Sequence, residues 1–141
     1  MTRETVHATC VAIKGRAVLI SGPSGSGKSD LALRLIDRGA TLVSDDYTEL
    51  TPHGGRLLAS PPERIAGKIE LRGIGIVERQ WVSGVPVCLA VDLAAPVERL
   101  PEPEARQIAG VALPLLRLSA LEASAPIKVE AALHLLGLDS A

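Results

Sequence analysis

A glycine-rich segment, GPSGSGKS at residues 22–29, has the side chains and backbone freedom suited to binding phosphate. It matches the pattern G-x-x-x-x-G-K-[ST], in which glycines let backbone N–H groups turn inward toward phosphate oxygens. Lys28 is expected to reach the terminal phosphates, and the Ser29 hydroxyl to bind Mg²⁺. The predicted phosphate-binding residues are Gly22, Pro23, Ser24, Gly25, Ser26, Gly27, Lys28 and Ser29. This spacing predicts binding of a nucleoside triphosphate or a related polyphosphate.

Two adjacent aspartates, Asp45 and Asp46 in LVSDDYTEL, are the second feature suited to chemistry. Adjacent carboxylates repel, and burying either is unfavourable unless a cation lies nearby. Lys28 and Mg²⁺ are the expected partners. Two interpretations remain open: one aspartate holds a metal-bound water, or one accepts a proton from an attacking hydroxyl, as a kinase base does. The doubled acid favours a kinase, because a simple NTPase needs only one such aspartate.

The flanking sequence predicts elements that place these residues at one edge of a sheet. A helix over residues 30–38 should follow the phosphate loop, with Gly39 as a left-handed C-terminal cap. Apolar runs predict strands at residues 6–13, 17–21 and 41–44, with a turn at residues 14–16. The order strand, glycine-rich loop, helix, strand predicts an α/β fold with some parallel pairing, and strand ends there point to the ligand crevice.

The second half of the chain continues the same pattern. It predicts a strand at residues 85–93 and a C-terminal helix with apolar positions at 127, 129, 132, 133 and 136, ending near Gly137. Residues 51–56 are expected to form a turn, and residues 60–67 and 97–107 irregular surface loops. No repeat, low-complexity tract or linker divides the sequence, so residues 1–141 are expected to form a single domain.

Composition excludes several classes of function. The net charge of −1 indicates neither a nucleic-acid nor a membrane partner, and the lack of Phe leaves few aromatic rings for base stacking. We see no signal peptide and no apolar run near the roughly 18 residues of a membrane span. Cys10 and Cys88 lie in apolar contexts without CxxC spacing and are expected to be buried structural thiols. A cytoplasmic location is predicted.

Taken together, His7, GPSGSGKSD, LVSDD and IELRGIGI resemble the catalytic domain of HPr kinase/phosphorylase. The similarity is gapless over residues 7–46 and resumes at residues 69–76. It implies a P-loop kinase domain with a mixed sheet and flanking helices. It also implies that ATP and Mg²⁺ are used to phosphorylate a serine of the phosphocarrier protein HPr or its nitrogen-system homologue, and that the chain assembles as a hexamer.

The resemblance also implies roles for individual residues. Asp46 matches the family's base for phosphorylation, and Lys28 its phosphate-loop lysine. Ser29 and Glu70 match the magnesium ligands, and His7 matches an active-site histidine. The catalytic residues implied are thus Asp46, Lys28, His7 and Arg99, where Arg99 in VERL corresponds to an arginine in a DRLG-like stretch.

Two departures from the family pattern are visible. The chain begins near the catalytic core, which is similar to the short form associated with alphaproteobacteria. Longer members carry a basic PVRPGRN-like stretch tied to removal of phosphate from phosphoserine, whereas this chain has LSALEASAPIKVEAA, with Lys128 as its basic residue. Retention of that reverse activity stays open. A small-molecule P-loop kinase and a non-catalytic nucleotide-binding regulator are the alternative functions.

Overall fold

The strand that leads into the phosphate loop is part of a tight hairpin. In the computed structural model, which describes residues 3–94 and 96–140, strand β1 is Glu4–Val6, β2 is Thr9–Ile13 and β3 is Arg16–Ser21. The turn between β2 and β3 has positive φ at both central residues, 51° at Lys14 and 79° at Gly15. This conformation matches the right-handed twist of paired strands and is readily adopted by glycine. The hairpin brings the start of β2 beside the end of β3.

Helix α1, Lys28–Asp37, begins at the end of the phosphate loop and packs Leu31 and Leu35 against the sheet. Gly39, with φ of +113°, ends the helix: its N–H donates to the Ile36 carbonyl at 3.0 Å, and the Ala40 N–H donates to the Leu35 carbonyl at 3.0 Å. These two bonds satisfy carbonyls that a helix end otherwise leaves unpaired. The predicted glycine cap is confirmed. Strand β4, Thr41–Ser44, then runs toward the aspartate pair.

The remaining elements complete a mixed α/β fold. They are β5 Thr48–His53, β6 Arg56–Ser60, a 3₁₀ turn Glu63–Ile65, β7 Lys68–Leu71, β8 Gly75–Glu78, β9 Val85–Asp92, β10 Glu104–Ile108, β11 Val111–Arg117 and helix α2 Ala125–Leu136. The expected mixed sheet with flanking helices is confirmed. Within the described ranges, no helix has the length and apolar character needed to cross a bilayer.

Strand β9 joins the sheet into one curled unit. Its later residues pair in parallel with β3 and with β11, while Val85 and Pro86 pair antiparallel with β6. The resulting order is β1-β5-β6-β9-β3-β2-β4, with β11 also on β9 and β10 on β11. Strands β7 and β8 form a separate antiparallel pair. Because β3, β4, β9 and β11 run in the same direction, their carboxyl ends meet at one edge.

Two apolar clusters pack on opposite faces of the central strands. Alternate side chains of β3 divide between them: Val18 and Ile20 pack with helices α1 and α2, whereas Ala17 and Leu19 pack toward β5 and β6. This alternation follows from the two-residue period of a strand. Both cysteines are buried and free, as predicted, and burial raises the pKa of the Cys10 thiol far above its usual range.

Several local predictions differ from the structure. The strand expected over residues 6–13 breaks at His7 and Ala8, which separates β1 from β2. The predicted turn at 51–56 contracts to the glycine pair between β5 and β6. The surface-loop prediction for 97–107 is wrong at its end, because residues 104–107 belong to β10. Pairing with β11 supplies backbone hydrogen bonds there, and this non-local contact overrides the polar, proline-rich composition.

Arg16 fastens the end of helix α2 to the sheet. Its Nε donates to the Leu138 carbonyl at 3.0 Å, and one terminal nitrogen donates to the carbonyls of Leu133 and Leu138 at 3.0 and 2.8 Å. The side chain is half-buried. Arg16 therefore ties β3 to the last turn of helix α2, where the Leu133 carbonyl also accepts the Gly137 N–H, and to Leu138 just beyond the helix.

We expect Arg16→Met to lower the free energy of unfolding by about 2 kcal/mol, since hydrogen bonds to a charged group contribute about 1.5–3 kcal/mol. Urea denaturation followed by circular dichroism measures the change. Arg79→Met is the matched control, because the Arg79 side chain is exposed and, among the contacts described, bonds only the carbonyl of the preceding residue. Equal losses in the two variants would contradict a specific role for Arg16.

Candidate active site

The phosphate loop is held in the curled conformation that its glycines permit. Gly25 and Gly27 have φ of +82° and +96°, a region that side chains with a Cβ rarely adopt. The Ser26 N–H donates to the Pro23 carbonyl at 3.0 Å, which closes the turn, and the Leu31 N–H donates to the Gly27 carbonyl at 2.9 Å, which starts helix α1. The helix N-terminus and its free N–H groups thus face the loop's interior, where an anion is stabilised.

Lys28 is buried inside this loop, with a relative exposure of 7%. Its ammonium group donates to the carbonyls of Gly22 and Pro23 at 2.9 and 3.2 Å. A buried cation requires such partners. The contacts place a positive charge at the start of the loop, where it can compensate the charge of a terminal phosphate.

Asp45 is buried and contacts the end of the phosphate loop. One carboxylate oxygen accepts hydrogen bonds from the Ser29 hydroxyl at 2.5 Å and from the Thr9 hydroxyl at 3.2 Å. The other oxygen accepts the backbone N–H of Glu70 at 3.0 Å. Hydrogen-bond donors on both oxygens compensate for burial of the charge. Asp45 therefore joins strand β4, helix α1 and strand β7 at one point.

Asp46 has the opposite orientation and reaches solvent. Its backbone is left-handed, with φ of +68°, and 57% of its side chain is exposed. Aspartate tolerates this conformation better than most residues. Non-glycine residues with a left-handed backbone cluster at functional sites. The change of backbone direction points two adjacent carboxylates toward different surroundings.

A single buried hydroxyl, that of Thr9 on β2, contacts both aspartates. Thr9 donates to the Asp45 carboxylate and accepts the Asp46 backbone N–H at 3.1 Å. The residue has no solvent exposure. Thr9 thus orients the Asp45 side chain and holds the strained backbone of Asp46, although it gave no signal in the sequence beyond its closeness to His7.

His7 supports the exposed carboxylate. Its Nε2 lies 2.8 Å from an Asp46 carboxylate oxygen, and its ring stacks on Tyr47 with a centroid separation of 5.0 Å. The break between β1 and β2 leaves His7 free of sheet pairing, so that the side chain reaches across to Asp46. His7 and Tyr47 together limit the rotation of the Asp46 side chain.

Both aspartates, Lys28, Ser29 and Glu70 line a single cavity of about 640 Å³, together with Arg72 and Ile74 of the β7–β8 hairpin. A Ser hydroxyl and one or two carboxylates are the oxygen donors that suit Mg²⁺, which completes its shell with phosphate oxygens and water. Ser29, Asp45 and Glu70 fit such an ion. Among the described residues, no group of three or more His, Cys, Asp or Glu side chains is arranged to hold a metal by itself.

Arg99 is the predicted site residue that lies apart. It is exposed in the loop after β9 and does not line the cavity that contains Lys28 and Asp46. Arg72 does line it, and Arg106 donates to the Ser21 hydroxyl at 2.8 Å beside the start of the phosphate loop. Arg72 belongs to the stretch IELRGIGI, which alone indicates no role for it, and Arg106 has no motif around it. The approach of each arginine to the site depends on how its hairpin folds back.

The amino-acid sequence is similar to that of one protein family. The family model of the HPr Serine kinase C-terminal domain matches residues 1–92. An HPr kinase/phosphorylase from Brevibacillus brevis is 47% identical over 81 residues, which cover 57% of this chain and 26% of the relative. The corresponding protein of Caldanaerobacter subterraneus is 40% identical over 102 residues, covering 70% of this chain and 33% of the relative. The chain thus spans about a quarter to a third of these curated relatives.

A solved structure matches over nearly the full length. The HPr(Ser) kinase/phosphatase from Coxiella burnetii superposes with a TM-score of 0.81 at 29% identity, covering 93% of this chain and 94% of that chain. This similarity confirms the expected α/β fold with a mixed sheet and flanking helices.

The close packing around Gly22 predicts that a methyl group there will disturb phosphate binding. A Cβ on Gly22 would lie 2.5 Å from Ser26 Oγ and 3.1 Å from Leu93 Cβ. We expect Gly22→Ala to weaken binding of MgATP at least tenfold by displacing the loop, as measured by isothermal titration calorimetry.

Ser26→Ala removes the closest of these atoms and tests the cause. Gly22→Ala should weaken binding less in the Ser26→Ala background than in the wild-type protein, because residues in contact do not act additively. Strictly additive effects would argue against the contact as the reason.

Proposed function

Because the chain belongs to the HPr serine kinase C-terminal domain family, we propose that it transfers the γ-phosphoryl group of ATP to a serine hydroxyl of an HPr-type phosphocarrier protein. The observation that carries the proposal is the opposite orientation of the adjacent aspartates. Asp45 faces Ser29 and the phosphate loop, whereas Asp46 faces the open side of the cavity. One carboxylate is thus available on the metal side and the other on the acceptor side.

On the metal side, Ser29 and Glu70 would hold the proposed Mg²⁺, with Asp45 as a further oxygen donor. The ion supplies charge compensation for the β- and γ-phosphates when it is bound. The chain's own contribution is to hold Ser29 and the Glu70 backbone on the two oxygens of Asp45. Lys28, between the Gly22 and Pro23 carbonyls, is placed to bind the terminal phosphate.

On the acceptor side, Asp46 is the proposed base. It takes the proton of the serine hydroxyl as that oxygen bonds to the γ-phosphorus and the bond to the leaving ADP oxygen breaks. His7 Nε2 lies 2.8 Å from one oxygen of this carboxylate, and the other oxygen is the proposed proton acceptor. Lys28 and Arg72 offset charge on the transferring oxygens. The catalytic role of Arg99 stays a prediction that rests on its match to the family motif.

The proposed partner is HPr or its nitrogen-system homologue, so the chain would regulate a phosphotransferase system in the cytoplasm. The Coxiella burnetii protein is named a kinase/phosphatase, and the curated relatives are named kinase/phosphorylase. The same Asp46 would return a proton to the serine oxygen if phosphate attacked phosphoserine. We also propose that residues 1–141 act as one catalytic unit and that it assembles as a hexamer.

Asp46→Asn tests the assigned base. We expect transfer from labelled ATP to purified HPr to fall by at least about 100-fold, since general-base catalysis contributes about 10²- to 10⁴-fold. Affinity for MgATP should change little, because Asp46 lies outside the phosphate loop. Asp37→Asn, at an exposed position on helix α1, is the matched control.

Mass spectrometry identifies the phosphorylated residue of HPr. If the wild-type protein binds ATP but leaves HPr unlabelled, the proposed substrate is wrong. That result would favour a small-molecule kinase or a nucleotide sensor. Full activity of Asp46→Asn would refute the base alone.

Thr9→Val removes the hydroxyl that contacts both aspartates while nearly keeping the shape of the side chain. We expect kcat to fall by about 10- to 100-fold with little change in KM for ATP, because a buried group left unpaired costs about 1–3 kcal/mol. Thr9→Ser should restore most of the rate. Steady-state kinetics with HPr as acceptor measures both parameters.

Thr48→Val is the control for a purely structural effect. Thr48 is equally buried, and its hydroxyl donates to the Ala8 carbonyl at 2.8 Å. It should lower stability without a comparable loss of kcat. If both variants lose kcat equally, the role assigned to Thr9 is wrong.

A further inference from the structure

A second cavity, of about 320 Å³, adjoins the phosphate loop on the side away from the aspartates. We infer that it is the subsite for the nucleoside of the phosphate donor, an inference that rests on the proposed kinase function. Gly25 and Ser26 form the side next to the phosphates. Apolar side chains form much of the rest: Leu93, Val97, Leu118 and Leu121.

The order of the strands sets this cavity opposite the acceptor. Strand β3, which leads into the phosphate loop, lies between β2 and β9. Asp46 follows β4 on the β2 side, whereas Leu93 and Leu118 follow β9 and β11 on the other side. The carboxyl ends of these parallel strands share one edge, so the loop has the aspartates on one flank and the second cavity on the other.

The chemistry of transfer requires the nucleoside to extend to that flank. In phosphoryl transfer the attacking and leaving oxygens lie roughly in line with the phosphorus. With Asp46 beside the attacking hydroxyl, the β-phosphate and everything bonded to it must extend away from Asp46. The two cavities share Gly25, Ala120 and Leu121, so a chain of phosphates can pass from one to the other along the loop.

Apolar walls suit the flat faces of a base and ribose, which small-molecule sites usually cover with hydrophobic side chains. Leu121 has a relative exposure of 92% and Val97 of 51%, which leaves apolar area that a ligand would cover. Leu118 is buried and forms the floor. With few aromatic rings in the chain, aliphatic contacts are the means by which this flank can hold a base.

Backbone contacts fix the walls. The Leu93 N–H donates to the Ser21 carbonyl at 2.9 Å, and the Leu118 N–H donates to the Asp92 carbonyl at 3.1 Å. Arg117 binds Asp92 at 3.3 Å and Glu104 at 2.8 Å. The hydrogen bond to Arg117 lowers the pKa of the Glu104 carboxyl. The cavity is thus bounded by segments that backbone hydrogen bonds and an ion pair tie to β9 and β11.

Isothermal titration calorimetry with ATP and with inorganic tripolyphosphate, both in the presence of Mg²⁺, separates the contribution of the nucleoside to affinity from that of the phosphates. We expect wild-type protein to bind ATP more tightly than tripolyphosphate. Leu121→Ser and Val97→Ser should each weaken the binding of ATP about tenfold, the loss expected for removing one partly covered apolar side chain. The affinity for tripolyphosphate should stay unchanged. Neither change adds a charge near the phosphates.

Leu135→Ser and Lys28→Ala are the controls. Leu135 is exposed on helix α2 outside both cavities and should affect neither ligand, whereas Lys28→Ala should weaken both. Equal effects of Leu121→Ser on ATP and tripolyphosphate, or no effect on either, would overturn the subsite while leaving the kinase assignment intact. A wild-type protein that binds tripolyphosphate as tightly as ATP would do the same. Binding of neither ligand would overturn both the subsite and the proposed function.

Discussion

The arrangement of the site depends on how one buried hydroxyl separates two adjacent carboxylates. Adjacent side chains of a regular strand point to opposite faces, but neighbouring carboxylates still repel each other and each needs partners of its own. Thr9 binds the side chain of Asp45 and the backbone of Asp46, and the left-handed conformation at Asp46 turns the second carboxylate outward. Each carboxylate then acquires its own partners. Asp45 takes Ser29 and the Glu70 backbone, and Asp46 takes His7.

Strand β9 has a comparable importance for the whole fold. It pairs in parallel with β3 and β11 and in the antiparallel direction with β6. Strand β9 therefore links the strands that lead to the site with the antiparallel strands β5 and β6. Small side chains such as Ala17 and Ala90 pack on the face of β3 and β9 that is turned toward β5 and β6, which lets the sheet curl closely. Helices α1 and α2 cover the opposite face of these two strands. The edge that holds the site is therefore supported from both faces of the sheet.

The phosphate loop divides its surroundings into two flanks with different chemistry. The flank toward β4 is polar and contains the carboxylates, Arg72 and the hairpin of β7 and β8. The flank toward β11 is largely aliphatic. In-line transfer requires an acceptor side and a donor side, and the proposed kinase would use these two flanks accordingly. Gly27 packs beside Ala120, which lines both cavities, and a Cβ on Gly27 would lie 3.0 Å from Ala120 Cβ. This glycine thus serves packing as well as loop conformation.

The amino-acid sequence by itself determined the phosphate loop, the cap at Gly39, the order of the first elements and the presence of an acidic pair. These features depend on contacts within a few residues, where glycine spacing and apolar period set the local conformation. The family motifs also drew attention to Lys28, Ser29, His7 and Asp46, which the fold brings together around the phosphate loop, while their roles stay predictions. They did not bring Arg99 to the cavity.

Only the tertiary structure decided which aspartate faces which side, because the deciding residue, Thr9, lies 36 residues from Asp45 and 37 from Asp46. The same holds for strand β10, for the approach of Arg72 and Arg106, and for the second cavity. Each of these arises from hydrogen bonds or packing between segments far apart in the chain. Local composition does not specify such pairing, because it is decided only when the sheet brings the strand ends to one edge.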